Sequence, residues 1–90
     1  MNARDKQLFE QARGLTPVLQ VGKNGITTGT LNQLAADFST KELLKVKLLK
    51  SFLDATGKDR KELAAELAAL SQSRLIGVVG YVVILYKKHV

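Results

Sequence analysis

Ninety residues, 46% of them hydrophobic, can bury one core, and a single domain over 1–90 is expected. The absence of cysteine excludes disulfides and thiolate metal sites, and the lone His89 stands next to last, where a fraying chain end suits neither catalysis nor metal binding. Fourteen Lys and Arg against eight Asp and Glu give a net charge of +6, which points to a polyanionic partner or to a soluble basic surface.

The longest apolar run, 75–86, is broken by Gly77 and Gly80 and is too short to cross about 30 Å of hydrocarbon as a helix. Residues 1–6 lack an apolar signal region, so no membrane association and a cytoplasmic location are expected.

In chain order, Leu8, Ala12 and Leu15 recur at helical spacing with Phe9 beside them, predicting a first helix over 3–14. Gly14 suits its end, and Pro17 prevents continuation while biasing Thr16 to extended geometry. Residues 18–21 read as a short strand that delivers the chain into Val21-Gly22-Lys23-Asn24-Gly25-Ile26-Thr27. Here two glycines three apart are expected to let the backbone turn with positive φ and a ligand come close. Lys23 and Asn24 add a cation and hydrogen-bonding groups. Thr27 reads as the N-cap of the next helix, with Ile26 and Leu31 spaced as a hydrophobic staple, so free N–H groups should face the loop and favour an anion.

Helix two is predicted over 28–39, with Leu31, Leu34, Ala35 and Phe38 on one face. Gly29 weakens its first turn and is either tolerated there or kept for close approach of a neighbour. Residues 44–48 alternate, placing Leu44, Val46 and Leu48 in the core and Lys45 and Lys47 on the opposite, wet face. Residues 50–58 read as an irregular connection with Phe52 tucked inward. Asp59 and Glu62 resemble a capping box, and Leu63, Leu67 and Leu70 with Ala64 and Ala68 give helix three an apolar face through 71. Residues 75–79 and 81–86, rich in β-branched side chains and parted by Gly80, predict a terminal hairpin that can supply a central strand. The order α-β-α-β-α-β-β argues for a mixed sheet covered by helices. If the helices cover mainly one face, Lys45 and Lys47 lie on the open one.

A nucleotide-phosphate enzyme is a poor match. A Walker A loop needs four residues between its glycines and a Lys followed by Ser or Thr, whereas Gly22 and Gly25 enclose Lys23 and Asn24 and Ile26 follows. A dinucleotide fingerprint would need glycine where Gln20 stands, and Glu42 precedes its strand instead of ending it. No Ser/His/Asp or Cys/His set exists, so no enzyme, cofactor, metal or small-molecule substrate is expected. A KH-type G-x-x-G loop joins two helices, whereas this one joins a strand to a helix.

The spaced residues Ala12, Leu15, Pro17-Val18, Val21-Gly22-Lys23, Gly25-Ile26-Thr27, then Glu42-Leu43-Leu44-Lys45-Val46-Lys47, then Val79-Gly80 and Leu85-Tyr86-Lys87, resemble the CRM-domain family typified by the small bacterial YhbY proteins. The match runs over nearly the whole chain. The resemblance implies a two-layer α/β fold with a four-stranded mixed sheet, similar to the C-terminal domain of bacterial translation initiation factor three, which the three helices read from the chain would cover. It also implies binding of RNA, with ribosomal RNA in large-subunit precursors as the partner; a monomer is expected. Carried across by position, the RNA-binding residues are Gly22, Lys23, Asn24 and Gly25 of the loop, Lys45 and Lys47 of the strand, and Arg13 and Lys87. Arg13 stands where the family often has histidine and keeps a cation; Gly77 and Tyr81 stand where polar or basic residues are commoner. Tyr81 and Tyr86 fit either base stacking or partial burial in the sheet. A protein-interaction module with a basic face is the alternative function.

Overall fold

The computed structural model describes residues 2–88; His89, expected at a frayed end, lies outside them. Eight elements follow in order: α1 (Ala3–Ala12), β1 (Leu19–Val21), α2 (Thr28–Phe38), β2 (Leu43–Leu48), α3 (Lys50–Thr56), α4 (Arg60–Leu70), β3 (Arg74–Val79) and β4 (Val82–Tyr86). The four strands form one mixed sheet in the order β1-β2-β4-β3, with β1 and β2 parallel and the other pairs antiparallel. The α/β class, the mixed sheet and the hairpin with its central second strand agree with the sequence reading.

The stretch 50–58, which the sequence pattern presents as an irregular connection, contains a helix, α3. Seven residues hold too few turns to display a period, and Leu49 at the N-cap makes no side-chain cap, so local signals are nearly absent. Tertiary packing supplies the stability instead: Phe52 is buried in the main core and Leu53 packs against it. Gly57, with φ +72°, closes α3 in the left-handed conformation, and its N–H donates to the Leu53 carbonyl at 2.9 Å.

The two faces of the sheet hold separate clusters. On one, Val21, Leu44, Val46, Leu48, Val83 and Leu85 are sealed under Leu34 and Phe38 of α2, Phe52 of α3, and Leu63 and Leu67 of α4. On the other, Leu8 and Ala12 of α1 bury Ile76 and Ile84, with Phe9, Leu43 and Tyr86 around them. The two-layer expectation therefore describes three of the helices, while α1 adds a partial cover on the second face. Phe9 lies so close to Gly77 that a Cβ there would stand 2.9 Å from its ring. Two predicted core positions are corrected. Leu70 is 55% exposed in the last turn of α4, and Ala35 of α2 is exposed as well. Helical periodicity marks a stripe, and the width of the neighbouring surface decides how much of it is covered.

Helix ends follow their local chemistry. Thr27 and Thr30 form a reciprocal capping box: the Thr27 hydroxyl accepts the Thr30 N–H at 3.1 Å, and the Thr30 hydroxyl accepts the Thr27 N–H at 3.3 Å. Asp59 accepts the Glu62 N–H at 2.8 Å. The C-terminus of α4 ends in a Schellman arrangement, with Ser73 N–H on the Ala68 carbonyl and Gln72 N–H on Ala69. Gln72 there adopts φ +55°, which glycine would meet with less strain.

Candidate nucleic-acid interface

Because β1 and β2 are parallel, the segments that follow them leave the sheet at the same end. Gly22 and Leu49 are consequently neighbours: the Leu49 N–H donates to the Val21 carbonyl at 2.9 Å. A Cβ on Gly22 would lie 3.5 Å from Leu49 Cδ1 and 3.6 Å from Ser51 Oγ. The loop is a closed turn, with Gly25 N–H donating to the Gly22 carbonyl at 2.9 Å and Lys23 and Asn24 exposed at its tip.

The two glycines are not equivalent. Gly25 has φ +71° and fits the expectation of positive φ, whereas Gly22 does not adopt it. The left-handed conformation fixes glycine at position 25, and at position 22 a side chain would meet only ordinary contacts. Gly29 is exposed, and a Cβ there would find the neighbouring Thr27 hydroxyl nearest, at 3.5 Å, so no packed neighbour requires it. With the Thr30 and Thr27 N–H groups taken by the capping box, the Thr28 and Gly29 N–H groups at exposed positions are those left facing outward from the start of α2.

Lys45 and Lys47 do share the sheet face opposite the main core, but their environments differ. Lys47 is exposed between Gln20 of β1 and Val82 of β4. Lys45, opposite Ile84, is half-buried, and its Nζ donates to the Leu15 carbonyl at 3.0 Å. That bond corrects the reading of both lysines as freely solvated. The chain leaving α1 folds back over β2, which a two-residue period cannot reveal. Ser51, at the start of α3, adjoins Gly22 across the parallel strands, with the exposed Lys50 next to it in the chain, and sequence reasoning misses both as site residues. The one sequence signal for them is the position of both segments directly after β-patterned runs.

The remaining predicted cations are dispersed. Arg13 is exposed at the end of α1 and pairs with Glu10 at 3.3 Å, a surface pair of little energetic weight. It lies on the same side of the sheet as Lys45, and both line one groove. Lys87 follows β4 at the other end of the sheet, beside Leu43, about 15–20 Å from the loop on the rise of a six-residue strand. Its ammonium sits 5.9 Å from the Phe38 ring centre, and its N–H donates to the Glu42 carbonyl. The structure therefore brings Lys23, Lys47 and Lys50 to one end and leaves Lys87 at the other.

The two tyrosines differ in their surroundings. Tyr86 is half-buried under the Arg4 guanidinium, 5.7 Å from its ring centre, and its hydroxyl accepts from Arg4 at 3.1 Å. Tyr81 is 48% exposed in the hairpin turn, and its carbonyl accepts the Leu48 N–H at 2.7 Å. Among the described residues, ion pairs occupy Arg13, Lys58 and Arg74, with Glu10, Glu66 and Asp5, and none holds Lys23, Lys45, Lys47 or Lys50. The Glu66 carboxylate, by hydrogen bonding and then by its charge, raises the Lys58 pKa. The stabilisation from that pair is complete below the ordinary lysine value and fades only as pH rises through the raised one. No group of three or more His, Cys, Asp or Glu side chains converges among the described residues, and no described helix is long and apolar enough to cross a membrane.

A mixed sheet with a glycine turn at the ends of its parallel strands, and exposed lysines at that end that form no ion pair among the described residues, defines a small basic α/β module whose surface suits a polyanion. The chain belongs to the CRS1 / YhbY (CRM) domain family, whose model matches residues 2–87. It is 33% identical over 81 residues to the Bacillus subtilis protein named "Probable RNA-binding protein YqeI", covering 90% of this chain and 80% of that one. It is 38% identical over 84 residues to "Probable RNA-binding protein PA4753" of Pseudomonas aeruginosa, covering 93% and 77%. The solution structure of SAV1595 from Staphylococcus aureus superposes with a TM-score of 0.77 at 30% identity, over 94% of this chain and 84% of that one.

Proposed function

We propose that this protein binds RNA, and that its RNA is ribosomal RNA within precursors of the large ribosomal subunit. The carrying observation is that Lys23, Lys47 and Lys50 are all exposed at the end of the sheet where the Gly22–Gly25 turn lies, and that none of them forms an ion pair among the described residues. The names of the two curated relatives, both RNA-binding proteins, support the partner class. The resemblance to the small bacterial CRM proteins supports ribosome assembly.

On this reading the protein is a non-catalytic cytoplasmic monomer. The turn lets a sugar-phosphate backbone approach the main chain, the exposed Thr28 and Gly29 N–H groups face phosphate oxygens, and the lysines neutralise charge. Lys45 and Arg13 extend the footprint along the sheet. Lys87, at the far end, acts only if the RNA runs the length of the molecule.

Titration with a ribosomal RNA fragment tests this. If three phosphates are neutralised, a single-strand slope near 0.7 per phosphate predicts about twentyfold weaker binding on going from 50 to 200 mM salt. Negligible RNA affinity at moderate salt would leave a protein partner for the basic surface. Crosslinking in cells, with sequencing of the attached RNA, should recover large-subunit precursor sequences; recovery of other RNA alone would refute the ribosomal assignment.

A further inference from the structure

On the α1 side of the sheet, beyond the part that Leu8 and Ala12 cover, the strands form the floor of an open groove of about 490 Å³. The size falls within the range of about 300–1,000 Å³ usual for small-ligand sites. Val79, Val82 and Ile84 make the floor, Phe9 and Pro17 the walls, and among the described residues the only polar side chains lining it are the cations Arg13 and Lys45. Val79 is 53% exposed. Phe9 packs closely on Gly77, where a Cβ would stand 2.9 Å from its ring and have to push it away.

We propose that this groove holds an unpaired nucleotide of the bound RNA, its base on the valine floor and its phosphate between Arg13 and Lys45. The inference rests on the RNA-binding reading and assigns to it a subsite distinct from the glycine turn. Charge complementarity selects this occupant: no carboxylate among the described residues lines the groove, and Lys45 uses one N–H on the Leu15 carbonyl, which leaves two for an anion. The Arg13 pair with Glu10 is exposed, so a phosphate can exchange for it at little cost.

The floor itself distinguishes a base from a peptide. Val82 and Ile84 belong to β4, whose main-chain groups are shared with β2 and β3 on its two sides, and only Val79 at the end of the floor belongs to an edge strand, β3. The groove thus gives a guest apolar contact and positive charge but few main-chain hydrogen bonds. An extended peptide needs such bonds, whereas a base has an apolar face and carries its own phosphate. A duplex hides that face by stacking, so the occupant must be single-stranded.

Valine-methyl NMR and affinity measurements with octauridine and with a short blunt RNA duplex test the assignment. Octauridine should shift the Val79 and Val82 methyl signals. Val79→Asp should weaken octauridine binding about tenfold. The uncharged Val79→Thr, which guards against misfolding or a general charge effect in the aspartate variant, should weaken it about threefold and leave the duplex within twofold of the parent. If both valine variants bind octauridine as the parent does and the methyl signals stay still, while Lys23→Asp with Asn24→Asp loses binding, the groove assignment is wrong and the loop reading stands. If the parent protein binds neither RNA, both readings fail. Movement of the same methyl signals by an alternating Glu-Leu peptide but not by octauridine also overturns the proposal.

Discussion

On one face of the sheet, Leu44, Val46 and Leu48 of β2 and Val83 and Leu85 of β4 are sealed under three helices. One residue further along the same strands, on the other face, Lys45, Lys47 and Val82 keep contact with solvent beside a single helix. The difference arises from how much helix surface each face receives. Apolar burial on the first face supplies the driving force for folding, at about 25 cal/mol per Å² removed from water. The second face needs to bury little, because the first is already complete, and its residues are free to meet a ligand. Stability and binding should therefore respond to different substitutions.

The largest expected effect lies under the closed face. Leu67→Ala removes a fully buried side chain, and urea denaturation should record a loss of about 2–5 kcal/mol, with RNA affinity unchanged in the fraction that stays folded. A loss below about 0.5 kcal/mol would mean that the two faces are not energetically distinct.

Next is the loop pair. Lys23→Asp with Asn24→Asp places two negative charges at exposed positions of the turn and should reduce RNA affinity about fiftyfold, for all sequences alike, with a flatter salt slope. The melting temperature should hold. Unchanged affinity and slope would move the anchor away from the turn.

A smaller change is expected from the open face of β2. Lys45→Ala with Lys47→Ala should weaken RNA binding about fivefold at low salt. It should also cost about 0.5–1.5 kcal/mol of stability, because the bond from Lys45 to the Leu15 carbonyl is lost. The single variants separate the two effects: Lys47→Ala should alter binding alone, and equal stability losses from both would contradict the contrast between them.

The two loop glycines should separate from each other. Gly25→Ala must place a side chain at φ +71° and should cost about 1–2 kcal/mol. Gly22→Ala, which meets only ordinary contacts, should stay within about 0.5 kcal/mol in thermal unfolding. If Gly22→Ala nevertheless weakens RNA binding while stability holds, close approach of the ligand is the reason for that glycine.

Much of the fold could be read from short-range pattern. The alternation over Leu44-Lys45-Val46-Lys47-Leu48 is the pleat of β2, the Leu63/Leu67 spacing is the buried stripe of α4, and Gly80 marks the hairpin turn at φ +60°. The capping residues Thr27 and Asp59 announced α2 and α4, since a cap is a bond between residues three apart. Pattern failed where stability comes from elsewhere. The helix α3 exists because Phe52 and Leu53 find a core built by other elements, and Leu70 is exposed because no neighbour reaches it.

The site divides in the same way. Sequence by itself determined the glycine turn, its exposed Lys23 and Asn24, the N-cap behind it and the surplus of positive charge, because each is a property of adjacent residues or of composition. Tertiary structure alone decided that Leu49 and Ser51 would stand beside the turn, that Lys45 would be tied to the Leu15 carbonyl, and that Lys87 would rest on Phe38 at the far end. Those placements follow from strand pairings such as Leu19 with Val46, across 27 positions of chain. Such a register is chosen by burying the whole apolar face at once, and no window of local sequence contains it.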